Sequence, residues 1–414
     1  MAADYYVAPH GSDAHAGTQA QPWKTIQHAA DLLQAGDTAH ILPGTYSEKV
    51  NIQASGSAEK GWVSFLAEGA VKVSGKGVLG ENIFRIQSKN YVRVRGFEIC
   101  DNLQVRDGSG IRVQGACDHI DLLDNQIHDI RGQDAMGITI YGKNQDAPIS
   151  HLVIQGNTIY DCDPAKSEAL TLNGNIDGFQ ILNNVVRDVN NIGICMIGGE
   201  KWISKDRRRV TRNGLCKGNR VIHARSNYGG GYAGGIYVDG GSDIIIEENE
   251  VTGSDLGIEV GAENAGTVTR GIVVRNNRIY LNEKGGLVTG GYEAKAGRVE
   301  ECTFEGNVCF HNDRHKDANG ELWIQLASKC HFERNTFWAG EEGPLVQAVK
   351  GAVDNILDNN LYYADSGIRD VPFNWHDKDV EGFEAYRRLS QQDAHSHFTK
   401  PNFRAPERGD FATP

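Results

Sequence analysis

The sequence predicts an all-β fold, a right-handed parallel β-helix (solenoid) with an N-terminal cap helix and an irregular C-terminal tail. Three observations lead to this fold class. A short strand followed by asparagine recurs along the chain, a second strand entered through glycine lies between the copies, and turn residues without helical periodicity separate them. The 50 glycines and 10 prolines include no Gly/Ser linker, so glycine is expected to mark turns within one architecture.

The asparagine repeat sets the length of one coil. Strands such as IDLLDN, FQILNN, IIIEEN and IVVRNN precede asparagines that lie 25 to 35 residues apart. An asparagine side chain can donate and accept hydrogen bonds, so stacked copies would satisfy the backbone of a tight turn. We expect one column formed by Asn125, Asn157, Asn184, Asn219, Asn249, Asn277, Asn307, Asn335 and Asn360. A propeller blade would need four strands in about 40 to 50 residues, which this spacing does not hold.

The two ends of the chain depart from the repeat, as stacked folds require. The segment PWKTIQHAADLLQA places Trp23 and Leu33 at helical spacing, with proline near its start and glycine after its end. It predicts a helix that caps the first coil. We divide the chain into an N-terminal cap with the first strands (1–83), a parallel β-helix that carries the candidate cleft (84–365), and a C-terminal tail packed on the helix (366–414).

Composition restricts the classes of partner. The net charge of −12 and the pI of about 5.6 argue against nucleic acid, which requires a basic surface, and favour neutral partners. No run of about 18 apolar residues predicts a membrane helix. The eight cysteines lack the spacing of a metal site, so we predict no metal and no cofactor, and we interpret Cys302 and Cys330 as buried thiols. Oligomeric state is not indicated.

The glycine-entered strands supply the candidate cleft. If the first aliphatic residue of each GIxV strand points inward, the second and fourth point outward, where polar, aromatic and acidic side chains are concentrated. Such a surface is suited to binding sugars. The candidate substrate-binding residues are Tyr237, Tyr141, Gln114, Asn173, Trp202, Trp323, Gln325 and Glu321.

Asp239 and Glu259 are the candidate catalytic residues. They occupy outward positions of neighbouring strands, offset by two residues, which places their backbones roughly 8 Å apart. A pair of carboxyl groups at such a separation suits glycoside hydrolysis, with Glu259 as the acid and Asp239 as the nucleophile or base. Their repulsion would separate the two pKa values. An exposed acidic pair without chemistry remains the alternative interpretation.

The stretch YYVAPHGSDAHAGTQAQPWKTIQHAADLLQAGDTAHILPGTY, followed by the asparagine-marked coils, resembles the pectate-lyase-like superfamily of right-handed β-helix carbohydrate-active proteins. The resemblance covers most of the chain. It implies a plant- or microbe-derived oligo- or polysaccharide bound across the outward face of one parallel sheet, and a secreted or periplasmic location. It does not transfer a catalytic residue, because the second acid is displaced within its strand relative to similar β-helix glycosidases.

Three functions follow from the residues and the resemblance together. The first is a glycoside hydrolase that uses Asp239 and Glu259. The second is a polysaccharide lyase that removes a proton from a uronate, with Ca²⁺ as a possible cofactor and with Lys201, Tyr237 or the segment 207–209 as sources of the base. The third is a glycan-binding β-helix without catalysis. Sugar identity, linkage, endo or exo action and stereochemistry stay open.

Overall fold

The computed structural model describes residues 2–228 and 231–413. The chain divides into two compact units. Unit 1 comprises Met1–Asn191 and Glu200–Thr211, and unit 2 comprises Ile192–Gly199 and Arg212–Pro414. Both units are built from the coils of a right-handed parallel β-helix, which confirms the predicted fold class.

Unit 1 begins with a strand and a short helix and continues as strands. Helix α1 spans Ile26–Leu32. The strands are β1 Asp4–Val7, β2 Thr38–Ile41, β3 Gly44–Ser47, β4 Val50–Ile52, β5 Val63–Ala67, β6 Val71–Ser74, β7 Asn82–Gln87, β8 Asn90–Arg95, β9 Glu98–Val105, β10 Gly108–Gln114, β11 Asp118–Leu123, β12 Gln126–Gly132, β13 Ala135–Gly142, β14 Ile149–Gln155, β15 Thr158–Cys162, β16 Glu168–Gly174, β17 Ile176–Leu182 and β18 Val185–Val189.

Unit 2 contains the remaining strands, helix α2 (Phe383–Ser390) and a 3-10 turn, Pro406–Arg408. The strands are β19 Ile192–Ile197, β20 Thr211–Lys217, β21 Arg220–Ala224, β22 Gly234–Asp239, β23 Ser242–Glu247, β24 Glu250–Thr252, β25 Leu256–Gly261, β26 Val268–Arg270, β27 Val273–Arg275, β28 Arg278–Tyr280, β29 Gly285–Gly290, β30 Arg298–Glu300, β31 Thr303–Glu305, β32 Val308–Phe310, β33 Leu322–Ile324, β34 Ala327–Ser328, β35 His331–Glu333, β36 Thr336–Ala339, β37 Val346–Ala348, β38 Ile356–Asp358, β39 Leu361–Ala364, β40 Pro372–Trp375, β41 Lys378–Glu381 and β42 His397–Phe398.

Most coils contribute one strand to each of three sheets, so every third or fourth strand in sequence is a neighbour in space, and β26, β30 and β34 are additional strands of one sheet. The sheet that carries the candidate cleft, here named the cleft sheet, has the order β4-β7-β10-β13-β16 in unit 1 and β19-β22-β25-β29-β33-β37-β40-β41 in unit 2. The last pair, β40 and β41, is antiparallel. The parallel register fixes which side chains stack from one coil to the next.

The asparagine column forms as predicted within each unit. In unit 1 the N–H of Asn125 donates to Oδ1 of Asn157 at 3.0 Å, and the Asn157 amide nitrogen donates to the backbone carbonyl of Leu122 at 2.9 Å. The same bonds join successive members in unit 2, with N···O distances of 2.8 to 3.0 Å, through Asn219, Asn249, Asn277, Asn307, Asn335 and Asn360. These side chains are buried, so the column satisfies turn groups that water cannot reach.

The residue before each asparagine explains part of the sequence pattern. It adopts a left-handed backbone conformation in every described coil, for example with φ of 55° at Asp124, 69° at Gly156 and 56° at Glu248. This conformation favours glycine, asparagine and aspartate, whose side chains tolerate it. The recurrent GN, DN and NN pairs therefore mark the turn that precedes the column.

Both predicted ends have the expected structure. Helix α1 begins at Thr25, whose hydroxyl accepts a hydrogen bond from the N–H of His28, and Trp23 and Leu33 are buried. The tail folds into α2 with short extended segments. The buried carboxylate of Asp393 in the tail accepts from Tyr386 of α2 at 2.8 Å and also from the Asn360 amide and the Tyr362 hydroxyl at 3.3 and 3.2 Å, which ties the tail to the coils of unit 2.

The cysteines are buried core residues in the structure. All eight lie in the described part of the chain, are buried and carry free thiols, as we predicted for Cys302 and Cys330. Burial raises the pKa of the Cys162 and Cys216 thiols to about 12, because desolvation disfavours the thiolate.

Candidate active site

The candidate acids of unit 2 lie on two paired strands of the cleft sheet. Tyr237 of β22 is opposite Glu259 of β25, and Asp239 is opposite Gly261. The alternate residues of both strands are completely buried aliphatic side chains: Ile236, Val238, Ile258 and Val260. Strand alternation therefore turns the acids to the outward face, with the two-residue offset that the sequence predicts.

A third acid completes an acidic cluster on this face. Glu263 follows β25, and its backbone N–H donates to Oδ1 of Asp239 at 2.7 Å. Its side chain accepts a hydrogen bond from the Tyr237 hydroxyl, which lies 3.2 Å from Oε1. Asp239 is only 5% exposed. The acidic cluster, Asp239, Glu259 and Glu263, is therefore held by contacts rather than spread over a solvated surface.

The environment of Glu259 favours its protonated form. Burial raises the pKa of this carboxyl well above its usual range, and the negative charges of Glu263 and Asp239 raise it further. The pKa of Tyr237 is raised well above its usual value by burial and by the same acids. Tyr292, an exposed residue, also has a raised pKa from partial burial and from Glu293, Glu263 and Asp239. The acidic cluster therefore also affects the ionisation of the Tyr292 hydroxyl group.

The second strand of the pair, β25, ends at Gly261, which has no side chain. A Cβ atom at this position would lie 3.0 Å from both Cε2 and the hydroxyl of Tyr237. The absent side chain leaves room for the Tyr237 ring, which extends along the strand toward Glu263. A side chain at position 261 would therefore displace the Tyr237 ring from its place in the cluster.

An aromatic wall lies in the same unit. The Tyr232 ring is 6.3 Å from that of Trp323, and Nζ of Lys284 lies 4.5 Å from the centre of the Tyr232 ring. Asp255 accepts from the N–H groups of Ser226 and Ala233 at 2.9 and 3.1 Å, which anchors the chain beside Tyr232. These contacts position two mutually tilted aromatic rings and one cation next to the strands of the cleft sheet.

Two polar side chains near this wall have unused hydrogen-bonding capacity. Within the described residues, Nε1 of Trp323 and Oε1 of Gln325 are buried without a hydrogen-bond partner. Trp323 lies opposite Val288, and Val288 lies opposite Glu259, so it belongs to the same outward row. Unpaired buried polar atoms of this kind are candidates for contacts with water or ligand.

The outward face of unit 1 has a different chemistry. Arg112 of β10 is buried, pairs with both carboxylate oxygens of Asp107 at 2.6 and 3.1 Å, and lies 5.1 Å from the Tyr141 ring. Lys143 contacts the rings of Tyr141 and Trp202 at 5.1 and 5.2 Å. Burial and the charge of Arg112 lower the pKa of Lys143, because both disfavour its ammonium form.

A cavity of about 470 Å³ lies beside Arg112 and is predominantly cationic. Its charged lining residues are Lys49, Arg85, Arg106, Arg112, Glu81 and Asp107. Arg85 of β7 stands opposite Arg112 in the register, so two guanidinium-bearing residues occupy adjacent outward positions. Burial lowers the pKa of Lys49, although Glu81 opposes that shift. We name this feature the basic cavity.

Several candidate binding residues are less accessible than the strand pattern suggested. The side chains that point away from the coil interior but are nevertheless buried are Tyr141, Asn173, Tyr237 and Gln325. Gln114 lines the basic cavity, and Trp202 is an exposed ring packed edge-on against Tyr141 at 5.2 Å. Trp323 is partly exposed.

Glu321 is located in the core rather than at the edge of the cleft. Its carboxylate accepts from the backbone N–H and the side-chain amide of Asn312 at 2.8 and 2.6 Å. Asn312, Asn282 and Ser254 form a second ladder across neighbouring coils, and Glu321 ends it. Burial raises the pKa of Glu321 to about 8. A strand-edge position alone did not reveal that this side chain turns inward.

Sequence reasoning also missed functional groups. Arg85 occupies an outward position in NIFRIQ, and the strand alternation used for the later coils would have found it. Lys49 and Arg106 lie outside the GIxV strands and carry no local signal. The run 207–209 gives a local ion pair, since Arg208 donates to both oxygens of Asp206 at 3.0 Å.

Comparison with known proteins identifies the superfamily. A family model described as "Pel9A-like, right handed beta helix region" matches residues 5–196, and a "right handed beta helix region" model matches residues 168–337 and 215–369. The chain belongs to the pectate-lyase-like superfamily of right-handed β-helix proteins. It is 33% identical to the uncharacterized protein YwoF of Bacillus subtilis over 428 residues, which cover 99% of this chain and 90% of that protein.

More distant matches connect the superfamily to named enzymes. A 71-residue segment is 45% identical to pectate lyase PEL9 of Emericella nidulans, but it covers only 17% of either chain. The fold is similar to that of a GH136 lacto-N-biosidase from Eubacterium ramulus, with a TM-score of 0.68, 16% identity, and coverage of 87% of this chain and 67% of that one. XylC in complex with xylose gives a TM-score of 0.52 at 11% identity, covering 97% and 87% of the two chains. Among the described residues, no helix is long and apolar enough to cross a membrane.

Proposed function

We propose that this β-helix protein is a carbohydrate-active enzyme that hydrolyses a glycosidic bond at the acidic cluster of unit 2. The observation that carries the proposal is the position of Asp239 and Glu259 on paired outward strands, with Glu263 bonded to Asp239. Two carboxyl groups in different environments are the chemical requirement for this reaction. Pectate lyase and glycosidase relatives are consistent with a carbohydrate substrate.

Glu259 is the proposed general acid. Because its raised pKa favours the protonated form, it can deliver a proton to the departing glycosidic oxygen near neutral pH. Asp239 is the proposed nucleophile or base, and the N–H of Glu263 stabilises its negative charge. The separation of the two carboxyl groups around a bound sugar would decide between retention and inversion.

The aromatic wall is the proposed sugar-binding surface of this site. Trp323 and Tyr232 offer ring faces of the kind that stack on the apolar faces of sugars. Trp323 Nε1 and Gln325 Oε1 add a donor and an acceptor that lack partners in the described residues. Sugar hydroxyl groups would satisfy both atoms.

A polysaccharide lyase is the second candidate function, and the basic cavity of unit 1 favours it. Its four cationic side chains suit the carboxylates of a uronate polymer. Lys49, whose pKa is lowered by burial, is the proposed base that would remove a proton beside the uronate carboxylate. Tyr141, at its border, is disfavoured as a base because burial raises its pKa. Ca²⁺ would be a cofactor only for this function.

The test is a panel of neutral and uronate-containing polysaccharides, with two products measured separately. New reducing ends without unsaturated sugars support hydrolysis, and their loss in Asp239→Asn and Glu259→Gln assigns it to the acidic cluster. Unsaturated uronates that disappear in Lys49→Met would instead support the lyase. Binding without either product would leave a glycan-binding protein. A location outside the cytoplasm belongs to the same proposal and is tested by cell fractionation.

A further inference from the structure

A group of histidine and aspartate side chains on unit 1 lies apart from both candidate sites. Asp118 and His119 begin β11, and His151 lies in β14, the neighbouring strand of the same sheet. Nδ1 of His119 is 2.8 Å from one carboxylate oxygen of Asp118, and Nδ1 of His151 is 2.7 Å from the other. One carboxylate therefore joins two imidazoles from successive coils.

The surrounding residues hold these side chains in place. The rings of His119 and His151 stack 4.3 Å apart, and Tyr91 stacks on the other face of His119 at 4.2 Å. Ser150 donates to the Asp118 carboxylate at 2.8 Å, while the backbone N–H of Asp118 donates to Asn90 at 2.9 Å. Packing and hydrogen bonds thus gather the three groups, and a bound metal ion would replace the two Nδ1···O contacts and turn the stacked rings toward itself.

The backbone adds a second indication that this arrangement is specific. His119 and His151 both have left-handed backbone conformations, with φ of 55° and 48°. Tyr91, in the preceding coil, has a φ of 51°. Glycine or asparagine would adopt this conformation at lower cost. Ring-bearing residues instead occupy the same register position near the start of three successive strands, which brings two imidazoles together.

We propose that Asp118, His119 and His151 bind a divalent first-row transition metal ion. Their ligand atoms all lie within 4.8 Å of one another. A nitrogen and an oxygen that are each about 2.0–2.1 Å from a metal, at nearly a right angle, are separated by about the distance seen here for the Nδ1···O pairs. Two imidazoles and one carboxylate suit Cu²⁺, Ni²⁺ or Zn²⁺ rather than Ca²⁺ or Mg²⁺, which prefer oxygen ligands.

A second group in unit 1 lacks the chemistry for the same role. Glu98, Cys100 and His128 are also close enough to surround an ion. However, the Lys72 ammonium lies 3.5 Å from carboxylate oxygens of Glu98 and Asp101, and the Cys100 thiol donates to Asp101 at 3.4 Å. A cation of the chain itself thus already neutralises this group. This group therefore supplies the control for the proposed site.

The bound ion would connect two coils of unit 1. His119 and His151 belong to strands that pair directly, so a metal held by both joins one turn of the β-helix to the next. An ion that binds the folded chain and not the unfolded chain raises the free energy of unfolding. The proposed role is a stabilising clip, separate from the hydrolysis assigned to unit 2.

The test uses the full chain after treatment with a chelator. Titration calorimetry with CuCl₂ should give one strong site, and His151→Ala or His119→Ala should weaken it by about 10-fold or more. Cu²⁺ electron paramagnetic resonance should show coupling to two imidazole nitrogens, and Zn²⁺ should raise the melting temperature of the native chain. His128→Ala should leave all three results unchanged, and CaCl₂ should give none of them.

His151 is largely exposed, so its replacement is expected to leave folding intact. The absence of Cu²⁺ and Zn²⁺ binding by the native chain would overturn the proposal. Binding that survives both His119→Ala and His151→Ala would overturn it as well. Hydrolytic activity is read separately, so a failure of the metal site and a failure of the proposed function remain distinguishable.

Discussion

In unit 1 one outward row of the cleft sheet pairs Arg85 with Arg112, whereas in unit 2 the outward face carries Asp239 and Glu259 in two adjacent rows. In both units these positions alternate with completely buried apolar residues, and both units contain the asparagine column. The repeat therefore fixes the coil and leaves the outward position open to either charge. The net charge of −12 consequently did not reveal the basic cavity, because a sum over the chain carries no information about one local surface.

The largest expected effect is the loss of hydrolysis when the acids of the acidic cluster in unit 2 are replaced. Asp239→Asn and Glu259→Gln should each lower hydrolysis about 10²–10⁴-fold, because each removes a positioned proton-transfer or charged group. Steady-state rates on the best neutral substrate of the panel measure the effect. Glu341→Gln, an exposed acid of the same unit, is the control and should retain native turnover. Near-native rates in both acidic-cluster variants would remove the assignment.

The next effect tests whether the scaffold is shared by the two units. Asn157→Ala in unit 1 and Asn277→Ala in unit 2 should each lower the free energy of unfolding by about 2–4 kcal/mol. Each removes a side-chain amide that makes several buried hydrogen bonds and leaves its partners without them. Urea denaturation measures the loss. The control is Asn359→Ala. Asn359 is exposed and directly precedes Asn360 of the column. Its replacement removes no column contact and should cost less stability. A much smaller loss in one unit would show that the column is not equivalent in both.

The role of the basic cavity is tested by measuring the binding of oligosaccharides. Arg85→Met should weaken binding of a uronate oligosaccharide by about 10- to 100-fold, as expected for loss of a hydrogen bond between charged groups. A neutral oligosaccharide of the same length should bind both forms equally. Calorimetry measures both affinities. If Arg85→Met leaves the uronate affinity unchanged, the basic cavity does not select for charge.

The smallest effect concerns how Glu259 of the acidic cluster changes the stability of the folded protein. The pKa of Glu259 is raised in the folded chain, so the folded state retains a proton that the unfolded chain releases. The free energy of unfolding should therefore fall as pH rises above the usual glutamate pKa of about 4.5. Glu259→Gln should remove this loss and stabilise the protein by about 0.5–2 kcal/mol at neutral pH. Urea unfolding from pH 4 upward, at about one-unit intervals, should show the variant's advantage growing with pH; a constant difference would contradict it.

Much of the acidic cluster could be predicted from sequence because its geometry is local. The alternation in GIYVD and GIEVG turns Asp239 and Glu259 outward, and parallel pairing gives their two-residue offset. Glu263 is close in sequence to Glu259, but its bond to Asp239 depends on the path of the chain after β25. The inward turn of Glu321 depends on Asn312 in the adjacent ladder, and no strand pattern encodes that contact.

By itself, the sequence determined the β-helix coil, the asparagine column, the cap helix and the outward direction of the candidate acids. These follow from period-two alternation and turn preferences, which act over a few residues. The tertiary structure decided which outward side chains remain accessible. It also placed Arg85 opposite Arg112 and brought both His119 and His151 into contact with Asp118. The pairs Arg85–Arg112 and Asp118–His151 are about one coil apart in sequence. Their partners are set by strand register and by the segments that cover each face, and both form only when the coils stack.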